Sequence, residues 1–353
     1  MKIAIDISPL STGHKIRGTG FYLHHLKDAL LKYFPENNYT FFQTGDTLPE
    51  KADVVHYPYF DPFFLTLPSQ KNYTTIVTVH DLTPLVFLEH FPAGLRGNFS
   101  WQIQRFRLKR VDAILTDSEA SKKDIMKIAG IPEKKVAVAY LAAGEEFKRL
   151  KIEDLRLKKV KEKYDLPEKF ILYVGDVTWN KNLPRLLKAV EKIDVPLVMV
   201  GKALISSDFD RSNKWNNDLV EVQKMAEKNK NVRLLGFVST EDLVALYNLA
   251  TIFVFPSVYE GFGLPILEAM QSGCPVIISR ESCMPEVGGD AAEYFDGYNT
   301  DNLVDVIKKV YDSKTLQKEL SEKGLQQAKR FSWKKTAEMT ITSYKKAVED
   351  SKT

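Results

Sequence analysis

Cysteine, histidine and long apolar runs are all scarce in this chain, and each shortage removes a class of explanation. Cys274 and Cys283 are the only cysteines in 353 residues, too few for a disulfide framework and short of a zinc site. The six histidines (His14, His24, His25, His56, His80 and His90) show no metal-ligand spacing. No segment reaches the roughly 18 apolar residues of a membrane-spanning helix. The opening MKIAIDISPL sets Asp6 inside its apolar run, so no signal peptide is expected. Neither charge sign dominates: 50 Lys and Arg against 46 Asp and Glu leave +4, no signature of nucleic-acid binding. The phosphate loop G-x-x-x-x-G-K-[ST] is missing. The turn HKIRGTGFYL also fails G-x-G-x-x-G, because Leu23 stands where a third glycine would follow Gly18 and Gly20. These absences argue against a Walker-type nucleotidase and a dinucleotide oxidoreductase. A reducing cytoplasm is the expected compartment, with neither metal nor cofactor.

What is present is ordinary for a folded protein: 44% hydrophobic and 27% charged residues. The length is about twice that of a typical domain, which predicts two. Short β-branched runs at 2–8, 39–44, 54–57, 75–81, 113–118 and 135–140 read as strands, with helices at 21–34, 99–110 and 121–129. A second series follows at 169–174, 197–200, 232–237, 251–256 and 276–279, separated by helices at 184–193, 219–229, 240–249 and 265–271. Continuous apolar strands such as IFVF and LVMV suit a parallel sheet covered on both faces. The pattern predicts an α/β fold of two doubly wound, Rossmann-like domains facing across a cleft. The charge-dense, strand-free stretch 141–168 places the boundary near residue 165. The first domain is then 1–165, the second 166–335, and a last helix, 336–353, docks back on the first.

The segment 257–271, SVYEGFGLPILEAMQ, carries most of the chemistry. It follows the strand TIFVFP and enters a helix whose first turn suits Pro265. Gly261 and Gly263 permit a tight turn and close approach of backbone to a ligand. The unpaired N–H groups of the first helical turn make an anion site that phosphate oxygens fit. Glu260 and Glu268 flank the turn, and an ionised carboxylate can accept two hydrogen bonds from a vicinal diol. A solvated Glu260, and a Glu268 that merely complements the helix dipole, explain the same residues.

E-G-F-G-L-P-x-L-E after a buried strand, followed by S-G-C-P-V-I, resembles the E-x7-E signature of the retaining family 4 glycosyltransferases, which have the GT-B fold. The similarity extends to Gly18 and Gly20, the His80–Asp81 pair, YVGDVTWNKN (173–182), VRLLGFVSTEDL (232–243) and PEVGGDA (285–291). The resemblance implies an acceptor-side first domain and a donor-binding second domain. It assigns Glu260 to hydroxyls of the donor sugar. Phe262, Gly263 and Leu264 then line the sugar and phosphate with backbone groups beside Gly261, and Glu268 binds the ribose. Gly18, Gly20 and Asn182 join the donor-binding set, and Val238 lies near the base. The family's lysine matches Lys181, a cation able to stabilise a departing diphosphate without a metal. Many members place arginine straight after the glycine of VG; this chain has Asp176, so Arg17 is a substitute candidate, or Lys181 and the helix N-terminus act alone. His80 ends the strand TTIVTVHD as a cleft residue touching sugar or acceptor, although capping by Asp81 and a satisfied imidazole explain the pair as well.

Two further features concern partners. YPYFDPFF (57–64) suits stacking on a sugar ring or packing of a loop. RGNFSWQIQRFRLKR (96–110) sets Phe99, Ile103 and Phe106 on one helical face with Arg105 and Lys109 on another. Such a helix either faces the core or lies on anionic lipid at the inner face of the membrane. The expected activity is metal-independent, retaining transfer of a hexosyl group from a nucleotide-diphospho-sugar, with GDP-mannose the guess. The acceptor is a saccharide or lipid-linked glycan in polysaccharide synthesis. A sugar-nucleotide isomerase like the 2-epimerases and a non-catalytic sugar-nucleotide binder are the alternatives.

Overall fold

Each short apolar run of the sequence becomes one strand of a parallel sheet. In the computed structural model, which describes residues 1–13, 18–48 and 50–352, the chain forms two units. Unit 1 is Met1–Ala142 with Phe331–Thr353, and unit 2 is Ala143–Arg330. Arg17 and His14 lie outside the described residues.

Unit 1 contains β1 (Lys2–Asp6), β2 (Asn38–Phe42), β3 (Val54–Tyr57), β4 (Thr75–Thr78), β5 (Ala113–Thr116) and β6 (Val136–Val138). They pair in the order β2-β1-β3-β4-β5-β6, all parallel, in a register that sets Val77 beside Ile114. Val77, Val79, Ile114, Trp101, Leu108 and Ile125 share one core on this sheet. The last helix, Trp333–Asp350, belongs to the same unit and buries Ala337, Ile341, Tyr344 and Ala347 at helical spacing. Trp333 stacks on His25 with ring centroids 5.0 Å apart, and Thr336 Oγ1 donates to the Tyr140 carbonyl at 2.6 Å. Residues 331–335, expected in the second domain, therefore join the first.

Unit 2 contains β7 (Ile171–Val174), β8 (Leu197–Val200), β9 (Val232–Gly236), β10 (Ile252–Phe255), β11 (Val276–Ser279) and β12 (Ala292–Phe295). The order β12-β11-β10-β7-β8-β9 is the doubly wound order of dinucleotide-binding domains. Every residue of β7, β8, β10 and β11 is buried, as a sheet covered on both faces requires. The strand order reverses between β7 and β10, so a crevice opens beyond their carboxyl ends. β12 has no counterpart in the sequence reading. Its burial is only partial, so AEYF lacks the apolar run that marks its neighbours.

The boundary falls at Ala142/Ala143, ahead of the expected residue 165, because the charged segment is fastened to unit 2. Asn248 accepts from Leu150 N at 2.7 Å and donates to the Lys148 carbonyl at 3.0 Å. Lys163 and Tyr164 both bond Asp242, at 2.6 and 2.7 Å. Gln271 Nε2 donates to the carbonyls of Gly144 and Phe147. Among the described residues no helix is long and apolar enough to cross a membrane.

Candidate active site

The switch point of unit 2 brings two loops together, residues 175–182 after β7 and 256–263 after β10. Lys181 comes from the first and Glu260 from the second. Lys181 Nζ lies 2.7 Å from Glu260 Oε1 and 2.8 Å from Oε2, a two-oxygen ion pair with both side chains largely shielded from water. The ammonium also sits over the Phe255 ring, 5.4 Å from its centroid. A lysine retains a third N–H for a further acceptor, and a carboxylate retains lone pairs for a hydroxyl.

Asparagines on either side of Lys181 hold the loops in place. Asn180, 6% exposed, donates from Nδ2 to the Tyr259 carbonyl at 2.9 Å, and its own carbonyl accepts from Val258 N at 2.8 Å. Asn182 takes the left-handed conformation at φ 57° and donates to the carbonyls of Pro256 and Gly297 at 3.0 and 2.9 Å. Its Oδ1 accepts from Arg185 at 2.7 Å. The Asn182 side chain thus ties the loop beside Lys181 to the loops after β10 and β12.

A third loop, after β11, fastens Glu260 from behind. Ser282 Oγ donates to the Glu260 carbonyl at 2.9 Å, and Cys283 Sγ approaches the carbonyls of Glu260 and Phe262 at 3.2 and 3.1 Å. Ser282 holds φ 53° to do so. Phe262 is buried, so only its backbone can face a ligand; Gly261 is buried and Leu264 half-buried. Gly263 caps the helix Leu264–Gln271 at φ 95°, with Pro265 in the first turn as expected.

Glu268 sits beyond that first turn and is 8% exposed, a poor position for complementing the helix dipole. It accepts from the Tyr247 hydroxyl at 2.9 Å. Burial pushes its pKa up to about 7, aided by the charge of Glu146 and opposed by the Tyr247 hydrogen bond. Val238 lies past the end of β9, two strands from β7, with its side chain buried and the neighbouring Phe237 69% exposed. Asp176 is exposed, and its Oδ1 accepts from Val177 N at 3.0 Å.

Gly18, Gly20 and His80 belong to unit 1. Both glycines lie within the described helix Gly18–Tyr33, where a turn was expected; Gly18 is exposed and Gly20 buried. His80 follows β4 and places Nδ1 2.7 Å from Asp117 Oδ2, while Tyr22 packs edge-on at 4.8 Å between centroids. Burial alone would lower the His80 pKa, but the charge and hydrogen bond of Asp117, with Asp81 and the Pro58 carbonyl, raise it. Asp81 accepts from Thr83 N at 2.8 Å, the turn-capping role its sequence position allowed. Asp117, Asn180, Tyr247 and Ser282 escaped the sequence reading. The flanking asparagines of W-N-K-N were the one available signal; the others are distant in sequence from what they hold. Among the described residues no group of three His, Cys, Asp or Glu is placed to hold a metal ion.

Comparison with known proteins accounts for both units. The family described as Glycosyltransferase Family 4 matches residues 18–142, and that described as Glycosyl transferases group 1 matches residues 155–327. O-antigen chain mannosyltransferase B of Escherichia coli is 31% identical over 296 residues, covering 83% of this chain and 75% of that protein. The serotype-specific mannosyltransferase WbdA of Escherichia coli is 28% identical over 296 residues, 82% of this chain; the chain spans about a third of that relative, 36% of its length. Among solved structures, sucrose-phosphate synthase from Thermosynechococcus elongatus superposes with a TM-score of 0.77 at 17% identity, over 98% of each chain. Anabaena HepE in complex with UDP and glucose gives 0.73 at 15%, over 97% of this chain and 98% of that one. The chain belongs to the family 4, group 1 glycosyltransferases, and its two Rossmann-like units are those of the GT-B fold.

Proposed function

We propose that this chain is a retaining glycosyltransferase that moves a mannosyl group from GDP-mannose to a glycan or lipid-linked acceptor in polysaccharide synthesis, in the cytoplasm. The observation that carries the reading is the Lys181–Glu260 pair at the switch point of unit 2. Glu260 orients the sugar by accepting from its hydroxyls. Lys181 and the N-terminal amides of the helix Leu264–Gln271 stabilise the diphosphate as the bond from anomeric carbon to phosphate oxygen breaks. The acceptor oxygen attacks the same face, and its proton passes to the leaving phosphate oxygen. Glu268 accepts from the ribose diol, and His80, oriented by Asp117, contacts sugar or acceptor. Cationic charge comes from lysine in this scheme, so a chelator leaves the rate unchanged. The mannosyl choice is supported by the two mannosyltransferase relatives.

The test is a panel of nucleoside diphosphates and their sugars, read first by thermal unfolding and then by product analysis with a glycan acceptor. A ligand at 100 times its dissociation constant raises stability by roughly 2.7 kcal/mol. The expected result is stabilisation by GDP and GDP-mannose, with an α-linked product. Turnover of the donor without acceptor would favour an isomerase, binding without any turnover a non-catalytic binder, and stabilisation by UDP alone would overturn the donor assignment.

A further inference from the structure

The loops after β10, β11 and β12 stand side by side at the carboxyl edge of unit 2, because their strands are neighbours in the sheet. The first carries Glu260, the second Arg280 and Glu281, and the third Tyr298. Tyr298 is 55% exposed, yet its loop is firmly held. Its backbone N–H donates to Asp296 Oδ1 at 2.8 Å, and Asp296 N donates to Asn302 Oδ1 at 2.8 Å. The Arg185 guanidinium lies over the Tyr298 ring, 5.9 Å from its centroid. The same guanidinium donates to the Gly297 carbonyl at 2.6 Å and to Asn182 Oδ1 at 2.7 Å. Room at Gly297 is short: a Cβ there would stand 3.0 Å from Glu281 Cγ and 3.2 Å from Val258 Cγ1. The Tyr298 loop therefore packs on the two loops that bear Glu281 and Glu260.

The ring stands beside polar groups with no ionic partner. Among the described residues neither the exposed Arg280 nor the half-buried Glu281 forms an ion pair. Ser282, next in the chain, donates to the Glu260 carbonyl. Burial, then the Glu281 carboxylate, raises the Tyr298 pKa against the opposing charge of Arg185, so the phenol stays a donor at neutral pH. An aromatic ring beside an uncompensated carboxylate and guanidinium has the chemistry to hold a pyranose. The C–H face of the sugar covers the ring, while its hydroxyls donate to the carboxylate and accept from the guanidinium. Two strand spacings put the loop after β12 about 10 Å beyond the Glu260 loop, on the side away from β9. In the proposed scheme the nucleotide runs the other way, towards Val238 after β9, which leaves this end of the edge to sugar. We propose that Tyr298, Arg280 and Glu281 form a saccharide subsite, which holds a pyranose ring of the acceptor glycan beyond the ring that reacts. The inference rests on the transferase reading and adds to it a grip on the acceptor from unit 2, with a preference for oligosaccharide over monosaccharide.

Binding of α-linked mannotriose and of methyl α-mannoside to the full chain, read by saturation-transfer NMR without nucleotide, tests it. The trisaccharide should bind more tightly than the monosaccharide. Tyr298→Ala should weaken the trisaccharide about threefold to tenfold, the range of one aromatic contact, and Tyr298→Phe should keep most of the affinity. Glu281→Gln should weaken it about tenfold, through the hydrogen bonds that its carboxylate accepts. Unchanged unfolding midpoints, with and without GDP, show that the variants fold and keep the donor site. Absence of mannotriose binding, equal affinity for the two sugars, or full affinity in Tyr298→Ala would each overturn the subsite. Failure of the transferase reading shows separately, as an unmoved midpoint with every nucleoside diphosphate while mannotriose still binds. That result would overturn the acceptor role and leave a saccharide site without a donor beside it.

Discussion

At the scale of single residues, two buried groups give the protein opposing pH dependences. His56 is fully buried between the hydroxyls of Thr78 and Tyr344, at 2.8 and 2.7 Å, and burial lowers its pKa to about 3. The unfolded chain takes up a proton near pH 6.5 that the folded chain refuses, so stability falls as pH drops from 6.5 towards 3, by at most about 1.4 kcal/mol per pH unit. Glu268 acts in the other direction. With its pKa raised from 4.5 to about 7, the folded state keeps a proton that the unfolded state releases, so stability is lost as pH rises through that window. Glu268→Gln should therefore stabilise the ligand-free protein more at pH 8 than at pH 5, read by thermal unfolding; an equal effect at both would deny the raised pKa. Nucleotide affinity should increase with pH through about 7 if the carboxylate receives the ribose diol, and calorimetry at a series of pH values would show a flat profile if it does not. For the ion pair, Lys181→Ala and Glu260→Ala should each reduce kcat about 10²–10³-fold in a folded protein. Near-normal turnover by Glu260→Ala would remove its assigned role.

Among the elements, the turn entering the helix Leu264–Gln271 depends on a glycine. Gly263 holds φ 95°, and a Cβ there would stand 2.9 Å from Ile266 Cδ1. Gly263→Ala should lower stability by about 1–2 kcal/mol, the cost of a left-handed residue with a side chain, and reduce transfer further by displacing Glu260. Denaturant midpoints and kcat together check this; a variant with wild-type values of both would mean that the turn is more tolerant than its geometry. Behind the same loop, the Ser282 hydroxyl and the Cys283 thiol hold the carbonyls of Glu260 and Phe262. The thiol is buried, its pKa raised by desolvation first and by nearby carboxylates, which suits packing and denies it nucleophilic chemistry.

Across the whole molecule, the chain visits unit 1, builds unit 2, and returns. The returning helix covers apolar surface of the first sheet and completes the network Tyr344–His56–Thr78–Tyr22, whose last link is 2.9 Å. A chain ending at residue 330 should leave that surface bare and His56 short of a partner. Unit 1 is then expected to lose cooperative unfolding while unit 2 keeps its own, visible as one of two calorimetric transitions. An unaltered pair of transitions would show the helix to be dispensable.

Short apolar runs separated by helical spacing were enough to identify a parallel α/β protein, because a strand buried on both faces has to be apolar throughout. The stretch 251–271 likewise announced a strand, a glycine turn and a Pro-started helix, since local backbone geometry restricts the residue types. The half-exposed edge strand β12 escaped, having no burial pattern to betray it. The boundary near 142 escaped too, because residues such as Asn248 and Asp242 fasten the polar segment from 79 to 100 positions away. The pairing of Lys181 with Glu260, separated by 79 positions, was equally invisible. Asn182, Ser282 and Asp117 owe their roles to partners delivered by strand order. Phe99 and Phe106 show the same division: helical spacing put them on one face, and only the packing of Trp101 and Leu108 decided that this face meets solvent. Periodicity records which residues share a side, whereas burial depends on where the rest of the chain comes to lie.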